Sequence, residues 1–254
     1  LLSTPVITLK EIVRQERDNP IVRLAARVRA GERPAYGEDG CVSVIPRRAL
    51  DADARRALFT QADQIIVGTN RTRAMINREV RAIRGISPDR VLPQDGEKII
   101  CTLNDWSKLL DERGDFHLVN GIIGRCYRVR EQLDGLGQLD FQPDFLAERV
   151  EDLPFDTGVF VRGQYYHGYG NRACLLTNGI LVHENNREML RRFKVRREDT
   201  VCRFEFAYAV TCHKAQGSEY DFVVVIDESG YFEDGKEWLY TAVTRAKKRL
   251  VIVR

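Results

Sequence analysis

Residues 204–227 read FEFAYAVTCHKAQGSEYDFVVVID, and the order of textures within them decides the architecture of the chain. Residues 204–210 form an apolar run of strand length, 211–217 are polar and turn-like, and 222–227 form a near-continuous apolar strand. A strand that is apolar at nearly every position has no solvated face, which is the pattern of a parallel sheet covered on both sides. Residues 238–243 then open a helix, and 250–253 are a further apolar strand. Strand, loop, strand, helix and strand in this order predict an α/β domain.

Working outward, the N-terminal part has the same texture. Asp18-Asn19-Pro20 followed by Ile21, Leu24, Ala25 and Val28 predicts a helix. A capping side chain precedes Pro at the first helical position, the apolar spacing is i, i+3, i+4, i+7, and Gly31 sits just past the end. Residues 41–45 are a short strand, and Asp51 caps a second helix through about residue 61. Residues 65–67 are a buried-type strand, followed by Gly68-Thr69-Asn70 and a helix over about 71–84 with Met75, Ile76, Val80 and Ile83 inward. A strand, a polar tight loop and a helix offer backbone N–H groups to an anion.

Between about residues 93 and 201 the texture changes. Residues 98–103, 121–129, 155–161, 173–176 and 180–182 read as short strands, with turn signals at Asn120-Gly121 and Thr177-Asn178-Gly179. Residues 162–172, rich in Gly, Tyr and His, read as a loop. Such strands predict a small antiparallel barrel inserted into the α/β domain.

Composition narrows the class. The chain has 254 residues, is 43% hydrophobic and carries 40 Lys+Arg against 37 Asp+Glu, so a net charge of +3 does not by itself announce a nucleic-acid partner. The basic residues are clustered, with ten Arg against five acids over residues 47–90 and seven basic residues against three acidic over 187–203. A solvated helix face accounts for either cluster as well as a partner does. No apolar run reaches the roughly 18–20 residues of a membrane span. Six Cys and four His show no metal-ligand spacing, so no metal site is expected, and reduced, mostly buried thiols point to a cytoplasmic protein. The chain opens Leu1-Leu2-Ser3-Thr4-Pro5 without Met, which reads as a cut inside a longer protein.

Two segments carry chemistry: residues 208–221, YAVTCHKAQGSEYD, and 238–250, WLYTAVTRAKKRL. Thr211, His213 and Lys214 follow a strand, where a hydroxyl, an imidazole and an ammonium suit a phosphate backbone. Gly217 lets the chain turn, and Glu219 is a carboxylate able to accept from a ribose hydroxyl. Arg245 is expected on a helix whose other face is apolar, and its fork suits charge spread over a transferring phosphoryl group. Thr69, Asn70 and Thr72 sit at a helix start, where they either cap the helix or help hold a phosphate. Lys98, Asn104 and Asn120 are weaker polar candidates, and Trp106 and Phe116 either pack or stack on bases.

The strings HKAQGSEYD and YTAVTRAKKRL resemble motifs V and VI of superfamily 1 helicases, and within them the RecD/Dda-like superfamily 1B branch, the exodeoxyribonuclease V alpha type. Residues 7–25 resemble that branch's motif IV region, 65–77 the strand-to-helix segment after it, and 96–124 its inserted SH3-like barrel. The resemblance is weakest over 130–200. It implies a RecA-like parallel-sheet domain (2A) over residues 1–92 and 202–254, interrupted by an SH3-like β-barrel (2B) over 93–201. It further implies a motor driven by ATP and Mg²⁺ that moves 5′-to-3′ on single-stranded DNA, associated with repair or recombination. By the same resemblance Arg14 and Arg245 face the nucleotide as arginine sensors, with Gly217 and Glu219 beside it, and Thr211 and His213 face DNA; Thr69, Asn70 and Thr72 are DNA candidates only from their place at the helix start.

The chain contains no Gly-x-x-x-x-Gly-Lys-Ser/Thr phosphate-binding loop. Asp227-Glu228 follows an apolar strand but is placed as a strand-end cap. The expectation is therefore the second half of a motor, inactive alone and without tightly bound nucleotide. Its partners would be single-stranded DNA, an N-terminal RecA-like domain of the same protein, and nuclease or repair subunits, with no membrane. The alternative is a non-catalytic nucleic-acid or protein-binding module on a RecA-like scaffold.

Overall fold

The computed structural model describes residues 19–132, 135–161, 173–175, 181–183 and 201–254. Along the chain run α1 (Pro20–Arg29), β1 (Gly37–Asp39), β2 (Val42–Ile45), α2 (Ala52–Gln61), β3 (Gln64–Val67) and α3 (Asn70–Ile83). Then follow β4 (Lys98–Cys101), β5 (Asp105–Leu109), β6 (His117–Leu118), β7 (Ile123–Glu131), β8 (Leu136–Pro143), β9 (Val150–Asp156) and the one-turn α4 (Gly158–Val161). The remaining elements are β10 (Ala173–Leu175), β11 (Leu181–His183), β12 (Phe204–Phe206), β13 (Ala209–Thr211), β14 (Tyr220–Ile226), α5 (Gly235–Val243) and β15 (Ala246–Val253). They divide into two compact units, residues 1–69 with 210–254, and residues 70–209.

The first unit is α/β. Its six-stranded sheet has the order β1-β2-β15-β14-β3-β13, and β2, β15, β14 and β3 run parallel. The apolar runs behave as expected of such a sheet: β3 is buried at all four positions and β14 from Phe222 to Ile226. Helix α1 starts where its signal stands, with the Asn19 side chain accepting from Ile21 N at 2.8 Å and Pro20 in the first turn. Ile21, Leu24, Ala25 and Val28 are buried. Full burial of an Ile, Leu or Val side chain contributes about 1.5–3 kcal/mol. Asp51 caps α2 by accepting from Ala54 N at 2.8 Å.

The second unit is built on a five-stranded antiparallel sheet, β12-β4-β7-β8-β9, with two separate hairpins, β5–β6 and β10–β11. Its core gathers Ile99, Leu118, Leu139, Phe141, Phe155 and Phe204 with their neighbours. The closed barrel expected over 93–201 is not found among the described residues. Closure takes a ladder between the first and last strands. Here the outer edge of β9 meets the chain before the short β12 through one bridge, Phe155 with Cys202.

Several expected elements differ, each for a local reason. Residues 204–210 are not one strand but β12 and β13, in two different sheets. At the break, Asn77 clasps Ala209, its Nδ2 donating to Ala209 O and its Oδ1 accepting from Ala209 N, both at 2.9 Å. A side-chain amide there takes the bonds a neighbouring strand would take. Residues 155–161 are the end of β9 followed by α4. On α3, Ile76 and Val80 are inward as expected, whereas Met75 is exposed and Ile83 half-buried. Besides Ala74, the rest of the inward face is polar: Arg73 pairs with Glu205, Asn77 holds Ala209, and Arg81 donates to both oxygens of Glu97. An apolar periodicity cannot reveal a face whose partners are carboxylates and backbone. Strands β10 and β11 pair as the expected hairpin, while its turn and the loop over 162–172 lie outside the described residues.

Candidate functional site

The two chemistry-bearing segments meet at one edge of the parallel sheet. Because β14 and β15 are parallel, the residues leading into both lie at the same end, and Tyr220 N donates to Arg245 O at 2.8 Å. Helix α5 ends at Val243, with Thr244 as its cap, so Arg245 is not on the helix as expected but in the short link before β15. From there its half-buried guanidinium donates from Nε to Thr241 O (3.1 Å), from Nη1 to Ser218 O (3.3 Å) and from Nη2 to Thr244 Oγ1 (3.0 Å). All three acceptors are neutral. Arg245 has no carboxylate partner among the described residues, so an oriented positive charge stands at this edge without a counter-ion.

The loop from Thr211 to Glu219 wraps the same edge. Thr211 precedes a 3₁₀ turn over Cys212–Ala215, to which its side chain gives no cap. His213 is exposed and not a core residue, Lys214 is half-buried, and Glu219 is exposed. Gly217 has φ +86°, a left-handed conformation that strains residues bearing a Cβ, although there is open space around it. It thereby turns the chain so that Ser218 O faces Arg245 and Glu219 enters β14. Cys212 Sγ donates to Trp238 O at 3.5 Å, and burial pushes its thiol up to about 11 against the pull of Arg245, so it stays protonated. Just inside, Asp221 is clasped by Lys248 (2.8 Å) and Lys247 (3.2 Å), whose hydrogen bonds hold its carboxyl below the usual range.

Thr69 lies at the opposite edge. It follows β3 as Asp227-Glu228 follows β14, and these strands are parallel, so a strand length of about 20 Å separates it from Arg245. The backbone N–H groups of Gly68 and Thr69 are taken by the chain's own buried Glu228, whose Oε2 accepts at 2.7 and 3.0 Å while Oε1 accepts from Thr69 Oγ1 at 3.2 Å. A Cβ on Gly68 would stand 2.7 Å from the Phe232 ring and 2.9 Å from Glu228 Cβ, so glycine is what admits the carboxylate. Asp227 is the local cap, accepting from Ser229 N (3.0 Å) and Oγ (2.6 Å). The wider role of Glu228 has a sequence signal only in hindsight, a glycine at a strand end.

Asn70 and Thr72 begin α3 in the second unit. Asn70 Oδ1 accepts from Arg73 Nε at 3.1 Å, and Thr72 is half-buried. Asn104 Oδ1 accepts from Asn120 N at 2.8 Å, so those two candidates brace each other, and Lys98 is buried. Arg14 lies outside the described residues. Among the described residues no group of three His, Cys, Asp or Glu side chains is placed to hold a metal ion. No helix of the described residues is long and apolar enough to cross a membrane.

Comparison with known proteins falls on the same edge. Residues 206–253 match the UvrD-like helicase C-terminal domain. An uncharacterised protein of Methanocaldococcus jannaschii is 52% identical over 50 residues, 19% of this chain and 4% of that protein. Among solved structures, the Pif1 helicase of Candida albicans is similar over 98% of this chain, at 17% identity and a TM-score of 0.51. A Bacteroides Pif1 bound to single-stranded DNA is similar over 95%, at 14% identity and a TM-score of 0.46. The chain spans 56% and 50% of those two proteins. Thus the segment that presents Arg245, Gly217 and Glu219 on one edge of a parallel sheet is similar to the UvrD-like helicase C-terminal domain, and the chain shares its fold with the Candida albicans Pif1 helicase.

Proposed function

We propose that this chain is the C-terminal motor half of an ATP-dependent DNA helicase of the RecD/Dda-like branch, moving 5′-to-3′ on single-stranded DNA. The observation that carries the reading is Arg245, a half-buried guanidinium oriented by three neutral acceptors and left without a carboxylate. A planar fork with no counter-ion favours the charge that develops on a transferring phosphoryl group. Gly217 and Glu219 would flank the nucleotide beside it, with Glu219 on the ribose, and Arg14 would be the second sensor. Thr211 and the exposed His213 would contact the DNA backbone, and Thr69, Asn70 and Thr72 would do so from the loop after β3.

The residues present fit only part of ATP and Mg²⁺. The loop after β3 offers its N–H groups to Glu228, and the sequence has no phosphate-binding loop. An N-terminal RecA-like domain of the same protein would hold the phosphates and the metal, which together supply charge neutralisation at the transferring group. Residues 93–201 would be the barrel-like insertion 2B within domain 2A (1–92 and 202–254), and nuclease or repair subunits would be further partners. The test is Arg245→Ala in the whole protein. ATP turnover should fall about 10³-fold or more, the range seen when such an arginine is removed, with single-stranded DNA affinity within about twofold. Turnover at the parent rate would overturn the assignment.

A further inference from the structure

The second unit exposes aromatic side chains that neither its core nor the proposed motor uses. Trp106 (63% exposed) and Leu109 (47%) stand on β5, Phe116 (44%) precedes β6, and Phe145 (52%) lies in the turn after β8. They form two ring pairs: Trp106 meets the His117 ring edge-on at 5.7 Å, and Phe116 meets Phe145 edge-on at 5.2 Å. The backbone beneath is firmly held. Asp111 accepts from Phe116 N at 2.9 Å and Asp115 N at 3.3 Å, and Leu146 beside Phe145 packs against the core. A cluster of large apolar side chains kept in place at the surface marks a binding face.

The rim of this cluster is acidic. Glu112, Asp115, Asp144 and Glu148 are all exposed, and none has an ion-pair partner among the described residues. Of the nearby cations, Arg149 is turned away, lying 3.8 Å over the Tyr127 ring and 3.9 Å from buried Asp140, which leaves Lys108 and Arg113. Four unpaired carboxylates repel a phosphate backbone, so charge argues against stacked nucleotides here. They attract a cation, and aromatic faces accept a guanidinium as readily as an aliphatic side chain. We propose that the exposed Phe116–Phe145 pair, with the acids around it, docks a partner-protein segment that carries both basic and aliphatic side chains.

The test uses the whole protein and fluorescence anisotropy with four labelled probes: short synthetic peptides alternating Arg with Leu, Glu with Leu, or Arg with Ser, and oligothymidylate. The Arg–Leu peptide should bind, and the Glu–Leu and Arg–Ser peptides at least about tenfold more weakly. Phe145→Ala, and separately the pair Asp144→Asn with Glu148→Gln, should each weaken the Arg–Leu peptide about tenfold, as loss of an anchor does. Both variants remove exposed groups, and unchanged circular-dichroism melts should accompany them. Oligothymidylate affinity should not move. Absence of Arg–Leu binding, or binding indifferent to these substitutions, would overturn the proposal. A loss of oligothymidylate affinity in Phe145→Ala would instead assign the face to DNA.

Discussion

Arg245 and Arg81 are both withdrawn from solvent, yet their surroundings are opposite. Arg81, on the polar face of α3, donates from Nε and Nη2 to the two oxygens of Glu97 at 2.9 and 3.1 Å and lies 4.2 Å over the Phe206 ring. Tyr208 completes that site. Burial and the Glu97 charge push its hydroxyl up to about 12, so it keeps its proton and donates to Glu97 Oε1 at 3.3 Å. Arg245 is oriented just as fully, but by two carbonyls and a hydroxyl. A buried arginine sealed by a carboxylate has spent its charge on the fold. One sealed by neutral oxygens keeps its charge for something that arrives. The role proposed for Arg245 rests on this difference and not on its motif alone.

The sharpest way to break this comparison is to truncate both. Arg245→Ala should lower turnover about 10³-fold or more while denaturant titration finds stability within about 1 kcal/mol of the parent, because no buried carboxylate is orphaned. Arg81→Ala should do the reverse, lowering stability by about 3–5 kcal/mol because Glu97 is left charged and unpaired. If Arg245→Ala destabilised as much as Arg81→Ala, the distinction would collapse. A smaller test concerns the clamp at the other sheet edge. Glu228→Ala strands the N–H groups of Gly68 and Thr69 and should cost about 2–3 kcal/mol; loss of under half a kcal/mol by the same titration would show that the turn holds without it.

Within the second unit, Asp140 gives the comparison a pH axis. Burial by itself would raise this carboxyl. The hydrogen bond from Arg128, the N–H of Asp152, and the charges of Arg128 and Arg149 outweigh it and hold the group below the usual range. A carboxyl whose folded pKa is lowered stabilises the fold above its unfolded value of about 3.9, and that contribution is lost as pH falls through the folded value. This group should therefore contribute a loss of stability on the acid side, and Asp140→Asn should flatten that slope while lowering stability at neutral pH. An unchanged acid limb would remove Asp140 from the account. The smallest effect is Gly217→Ala, about 1 kcal/mol from the left-handed φ, read as a shift in melting temperature; an unchanged melt would show that the turn relaxes.

Much of this is legible in the residues themselves, and what is not has two causes. The starts of α1 and α2, the burial of β3 and β14, and Gly31 and Gly217 at left-handed positions follow from local rules. The inward face of α3 did not, because Arg73, Asn77 and Arg81 are buried only through partners far along the chain: Glu205, Ala209 and Glu97. Glu228, which its strand-end position marks only as a cap, clamps a loop 160 residues away. Strands β5, β6 and β8 carry no alternating apolar pattern strong enough to mark them in the sequence.

By itself the sequence determined that a parallel α/β sheet carries two motif segments on successive strands, since apolar runs, caps and glycine turns are local physics. It also singles out Arg245 as the arginine to test. Only the tertiary structure decided that Arg245 leaves its helix to be oriented by Ser218 and Thr241, that 204–210 divides between two sheets, and that an acid-rimmed set of aromatic rings stays outside the core. Each of those outcomes depends on which polar groups find partners across the fold, and a hydrogen bond between distant residues leaves no periodic trace in the chain.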